Sequence, residues 1–233
     1  MPIENLEELL DTKLYNKLGE YYINFVSNNG NANAIEELNN ARNFYGKLNK
    51  DNIAMICCFG NANAIKELNN ARNLHDKLIG HDFQSICQSG DPAAIKALGN
   101  AKILHAKLTG EDIKAISKKG NVDAISLLNS GVALENFSGK AISILSSASV
   151  YAVTNLDNYF KLKANTNISE ENKLTIITGY IDKKDNAAKI LLEQSLRSED
   201  IGVAGEPSPE KPVTGSAETN IISVALASKN KGK

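Results

Sequence analysis

Leu18, Leu48, Leu78 and Leu108 fall thirty residues apart, and other apolar positions of the chain keep step with them. Ile23, Ile53, Phe83 and Ile113 form one column; Val26, Ile56, Ile86 and Ile116 form the next. Gly30, Gly60, Gly90 and Gly120 follow, then an Ala-Ile pair at 34–35, 64–65, 94–95 and 124–125, then Leu38, Leu68, Leu98 and Leu128. Two copies almost coincide: Gly30 to Arg42 reads GNANAIEELNNAR and Gly60 to Arg72 reads GNANAIKELNNAR, with Glu36 against Lys66. In-register copies at this period are the mark of a stacked repeat array.

Each unit reads as two helices. Ile113 and Ile116 lie three apart on one face of a short first helix. Gly120 is expected to end it in a left-handed turn. Asn31, Asn61, Asp91 and Asn121 then stand where a side chain accepts from the free N–H groups of a new helix. In the third unit Pro92 follows Asp91 at the first helical position. The second helix carries Ile95, Leu98 and Ala101 at spacing three and is expected to run to about Lys107. One such hairpin cannot bury its own apolar stripe, whereas stacked copies bury it against each other. The expected fold is all-α: an α-solenoid of stacked helix-turn-helix repeats with terminal capping helices.

Outside the repeats, residues 1–17 read as an N-terminal capping helix with Leu6, Leu9, Leu10 and Leu14 on one side. The four units span 18–137. Between 138 and 197 the columns dissolve, yet Ile142, Leu145, Val153 and Leu156 keep helical spacing and Ser169 is placed to open a further helix. This segment reads as a divergent cap. From 198 to 233 the chain turns to Pro207, Pro209 and Pro212 with Gly, Ser and Glu, a composition expected to be disordered. Two readings stand for the apolar NIISVALA at 220–227 and the basic residues behind it. One is a solvated end with a sticky patch; the other is a recognition or secretion signal, as in substrates of bacterial type IV systems.

Composition changes this picture little. Hydrophobic residues make up 42% and the formal net charge is −1, so no global basic field marks a nucleic-acid or membrane binder. No apolar run is long enough to span a bilayer, and the acidic, amphipathic start is unlike a secretory signal. Three cysteines are too few for a disulfide scaffold and suit a reducing, cytoplasmic setting.

The stretch DIKAISKKGNVDAISLLNSGVALEN, Asp112 to Asn136, resembles the helices of an ankyrin repeat. Ile113 sits at the ankyrin leucine, Ile116 and Ser117 at its paired alanines, Gly120-Asn121 at its turn, and Ala124-Ile125 and Leu128 in its second-helix core. The resemblance spans roughly 18–150. It implies a protein–protein interaction scaffold, and with the tail it suggests a bacterial effector delivered into a host cell. The unit is thirty rather than thirty-three residues long, with no Thr-Pro-Leu-His opening, so either β-hairpin fingers or a longer second helix joins the units. LTGEDIKAISKKGNVDAI is also similar to the repeat opening of transcription-activator-like effectors, through Leu108, Thr109, Ile113, Ile116 and Ala124. That similarity implies DNA reading, although one residue must be dropped between Ile116 and Gly120. Each unit carries a net charge near zero, short of what tracking phosphates requires.

Candidate chemistry is thin. Cys57 and Cys87 share a small-residue column, with Cys58 beside the first; His75 and His105 share another. Paired acids such as Glu111-Asp112 sit at helix starts, where they complement the dipole. Recurring asparagines (Asn39-Asn40, Asn69-Asn70, Asn100, Asn129) read either as an amide ladder between stacked helices or as plain solvated residues. No catalytic, metal or cofactor-binding residue is expected, and the chain reads as a binding protein rather than an enzyme.

The candidate partner-binding residues are those where the units differ most, on the first helix and its exit. They are Asn24, Phe25, Asn29, Ala54, Met55, Phe59, Gln84, Ser85, Lys114, Lys118 and Lys119. Helical spacing sets them off the Ile columns. Their aromatic and Met character at Phe25, Met55 and Phe59 points to a protein contact, with a nucleic acid as the second choice.

Overall fold

In a computed structural model, residues 10, 12–130, 137–163 and 168–182 are described. Their helices are Thr12–Asn29 (α1), Ala32–Asn40 (α2), Lys50–Phe59 (α3), Ala62–Asn70 (α4), Gly80–Ser89 (α5) and Pro92–Asn100 (α6). Lys102–His105 (α7), Gly110–Lys119 (α8), Val122–Asn129 (α9), Gly139–Leu145 (α10), Val150–Leu162 (α11) and Glu170–Ile181 (α12) follow. Short 3-10 helices, Tyr45–Lys47 and Arg72–Lys77, stand in the first two units where α7 stands in the third. No strand occurs among the described residues, so the ankyrin-type fingers are absent from the junctions described.

The helices start where the caps direct. Asn31, Asn61 and Asn121 each accept from the second and third N–H groups beyond them, and Asp91 accepts from Ala93 with Pro92 opening the helix. Ser169 caps α12 through the Asn172 N–H at 3.3 Å. Gly19 is the one described glycine at positive φ (70°), and it bends α1 between Leu18 and Glu20. The kink falls where the sequence places the border between the capping helix and the first unit.

First helices pack on first helices and second on second. α1 contacts α3, α3 contacts α5, α5 contacts α8, α8 contacts α10 and α10 contacts α12. In the other row α2 contacts α4, α4 contacts α6, α6 contacts α9 and α9 contacts α11. The sequence columns are the interior of both rows: the Leu18, Val26, Ala34, Ile35 and Leu38 columns are buried in all four units. Ile23 is only half-buried, unlike Ile53, Phe83 and Ile113. Ile142, Leu145, Val153 and Leu156 are fully buried, so helical packing persists past the strict repeats.

Two expectations are corrected. Gly60, Gly90 and Gly120 are not left-handed; φ is −71°, −74° and −65° with ψ near the extended region. Glycine is needed for space: a Cβ on Gly90 would lie 2.6 Å from the Ile86 carbonyl oxygen and 2.8 Å from Ile95 Cδ1. The second helix also does not run to Lys107. It ends at Asn40, Asn70 and Asn100, where Ala41, Ala71 and Ala101 leave helical φ/ψ (ψ of 60°, 55° and 64°). The chain then turns inward and buries Phe44, Leu74 and Leu104. Apolar spacing continues unbroken through the break, which is why periodicity does not reveal it.

Hydrogen bonds across the units repeat with the same period. The N–H after each glycine donates one unit forward: Asn31 to the Cys57 carbonyl, Asn61 to Cys87, Asp91 to Ser117 and Asn121 to Ser146, at 2.7–2.9 Å. Lys17, Lys47 and Lys77 reach carbonyls in the next unit's short third helix or just after it, and Lys107 reaches the carbonyl of Phe137. Lys17 Nζ donates to Leu48 O at 3.1 Å, Lys77 Nζ to His105 O and to Leu108 O at 2.6 Å, Lys47 Nζ to His75 O, and Lys107 Nζ to Phe137 O at 3.2 Å. These lysines satisfy carbonyls that helix geometry leaves without partners.

Candidate interaction surface

The exits of the first helices supply the exposed part of the expected face. Asn29, Phe59 and Lys119 occupy equivalent positions at the ends of α1, α3 and α8, and all are exposed, Phe59 at 55%. Met55, one turn earlier on α3, is half-buried, as are Phe25, Ser85 and Lys118; Asn24 is exposed. The exposed Asn28 and Asn29 amides turn back on their own helix, to Asn24 O and Phe25 O at 2.9 Å.

Ala54 does not belong to a binding face. It is 1% exposed and part of the core. Its equivalents Gln84 and Lys114 are half-buried and hold neighbouring units together. Gln84 Oε1 accepts from Asn52 Nδ2 at 2.9 Å, and Lys114 Nζ lies 3.3 Å from Asp82 Oδ1 and 2.6 Å from Glu111 Oε1. Hydrogen bonding to Glu111, and then to Asp82, raises the Lys114 pKa. Both pairs join residues thirty-two apart, so a change in one unit is matched by a change in the unit before it. Variation here records pairing across the junction rather than freedom from the scaffold.

Asn52 and Asp82, the buried polar partners in these pairs, belong with buried Asp112 to a column the sequence reading missed. Each reaches back to the N–H that opens its own helix: Asn52 to Asn49, Asp82 to Ile79 and Asp112 to Thr109, at 3.0–3.2 Å. Their recurrence three residues after the first-helix cap was the available signal. Ile79 departs from that cap pattern: it stands where Asn49 and Thr109 cap, makes no side-chain bond and is 68% exposed.

The asparagines divide by column, and those that bond across units reach main-chain groups rather than one another's amides. Asn69 Oδ1 accepts the Asn43 N–H and Asn129 Oδ1 the Ile103 N–H, both at 3.1 Å, while Asn73 Nδ2 donates to Gly99 O at 2.8 Å. Asn40, Asn70 and Asn100, one position later, are exposed. The histidine column is likewise structural. His75 Nε2 meets Leu68 O at 2.8 Å and His105 Nε2 meets Leu98 O at 3.0 Å, each closing the end of its second helix. Burial is the largest effect on both rings and lowers their pKa. His75 is wedged edge-on against Phe44 and Phe83, whose rings stack at 4.8 Å.

Cys57, Cys58 and Cys87 are all buried, Cys58 included although its neighbour on the helix, Phe59, is not. Burial pushes the Cys57 thiol up to about 12 and raises Cys58 and Cys87 as well. Thiols in this state are poor nucleophiles. Among the described residues no three His, Cys, Asp or Glu side chains are grouped to hold a metal, and no helix is long and apolar enough to cross a membrane. No protein-family model, curated protein or solved structure matches the chain.

Proposed function

We propose that the chain is an ankyrin-like α-solenoid that works as a protein–protein interaction scaffold and performs no catalysis of its own. The solenoid reading is supported by the two rows of like-on-like helix contacts and by the backbone and lysine bonds that recur with the thirty-residue period across the four units. Exposed Phe59 carries the functional reading. Together with half-buried Met55 and Phe25 it supplies apolar contact area at the first-helix exits, where the units diverge.

The face comprises Asn24, Phe25, Asn29, Met55, Phe59, Ser85, Lys118 and Lys119, without Ala54. A variant with Phe25, Met55 and Phe59 all changed to Ser tests it. Cross-linked partners of the wild-type chain are identified by mass spectrometry, with and without nuclease, and the variant is first checked for an unchanged helical signal. Loss of an identified protein partner in the folded variant is expected. Unchanged capture removes this face, and capture that disappears on nuclease treatment assigns the chain to nucleic acid.

A further inference from the structure

The segments that join one unit to the next are basic in a chain whose formal net charge is −1. Across 41–48, 71–78 and 101–108 they carry Arg42, Lys47, Arg72, Lys77, Lys102 and Lys107 against the carboxylate of Asp76. Three of the cations have structural work, since Lys47, Lys77 and Lys107 donate to carbonyls of the following unit. Arg42, Arg72 and Lys102 do not: each is exposed, and none pairs with a carboxylate among the described residues. They stand directly after the buried alanines that end α2, α4 and α6. The bonds joining Asn43 to Asn69, Asn73 to Gly99 and Ile103 to Asn129 hold the three segments in line.

We infer that this edge binds an extended acidic peptide, one carboxylate to each unit; the inference rests on the scaffold reading above and adds a second surface to it. Packed helices lie about 8–10 Å apart, so Arg42, Arg72 and Lys102 succeed one another at roughly that spacing. In the polyproline II form an extended chain advances about 3.1 Å per residue with three residues per turn, which places every third side chain on one face, opposite a cation. Exposed Asn40, Asn70 and Asn100 precede each cation by two residues, and amides offer both a donor and an acceptor to a peptide main chain. Duplex DNA, with a phosphate on each strand for about every 3.4 Å of helix axis, would leave most of its charges unmatched here. Two concavities lie along the edge. One is a small cleft lined by Lys13, Asn39, Arg42 and Tyr45; the other is an open groove of about 390 Å³ between α6 and α9 that includes Lys96 and Asn100. Both present cations beside amides.

The full chain is titrated into a fluorescein-labelled glycine–serine peptide with Glu at every third position, followed by fluorescence anisotropy. A peptide of the same composition with its glutamates contiguous and a single-stranded oligonucleotide serve as comparisons. Saturable binding that prefers the spaced peptide and weakens with added salt is expected. Changing Arg42, Arg72 and Lys102 together to Ser should weaken binding roughly tenfold or more. Changing the exposed Lys66 and Lys140, which line neither concavity, to Ser should have a much smaller effect. Absence of saturable peptide binding, equal loss in the two variants, or a preference for the oligonucleotide overturns the inference. The Phe25, Met55 and Phe59 variant should bind the peptide normally, so this result and the partner-capture result fail independently.

Discussion

The ammonium of Lys77 donates to the main-chain oxygen of Leu108, thirty-one residues away, at 2.6 Å, and also meets the His105 carbonyl. Both oxygens close the third unit's connection, so one side chain of the second unit secures the end of the third. Changing Lys77 to Met keeps most of the stem and removes the donor. Stability should fall by about 1 kcal/mol, the usual net worth of such a bond. Urea unfolding followed by circular dichroism measures this, with Lys66→Met, an exposed lysine on α4, as a control expected to change little. Equal shifts in the two variants would refute the stapling role.

Ile79 leaves its helix without a side-chain cap, which a single substitution should repair. Its backbone is extended, as a cap requires (φ −105°, ψ 170°), and Asp82 already accepts its N–H. Ile79→Thr supplies the oxygen that Thr109 supplies in the next unit, where it accepts the Asp112 N–H at 3.3 Å. The gain should be about 1 kcal/mol, read as a higher melting temperature. A variant that melts lower would mean that the isoleucine contributes packing which its 68% exposure does not reveal.

Gly90 and Gly46 separate two reasons for choosing glycine. Neither has positive φ, but a Cβ on Gly90 meets Ile86 O at 2.6 Å whereas one on Gly46 meets nothing within 4 Å. Gly90→Ala should cost about 1–3 kcal/mol through overpacking. Gly46→Ala should be neutral or stabilising by about 0.4–1 kcal/mol, through the reduced freedom of the unfolded chain. Comparable losses at both sites in chemical denaturation would contradict the close-approach explanation.

Acid should weaken the junction around His75. Its folded pKa lies below the ordinary 6.5, chiefly through burial; the bond to Leu68 opposes the shift and Lys47 adds to it. His105 is shifted the same way. As pH falls, the unfolded chain therefore takes up these protons first, and stability declines from about pH 6.5 downward. Urea midpoints measured at about pH 7.5 and about pH 5.5 should drop for the wild-type chain and drop less for His75→Gln. Identical pH dependence in the two proteins would show that His75 does not contribute.

Apolar spacing and cap chemistry in the sequence were enough to establish the period, the buried columns and the starts of the second helices. These depend on residues within one unit, and a local rule reads them: Asn61 accepts from Asn63 and Ala64 wherever that turn forms. The break after Asn100 was not legible, because Ala101, Leu104 and Leu108 continue the spacing of a helix that has already ended. Exposure of the variable positions was legible only in part. Asn24, Phe59 and Lys119 are at the surface as their variability suggested, but Ala54 is core and Lys114 is tied to Asp82. What a variable position does depends on which residue packs opposite it, thirty-two positions away for Asn52 and Gln84. That pairing arises only when the units pack, so the tertiary structure decides whether variation reflects a partner outside the chain or a neighbour within it.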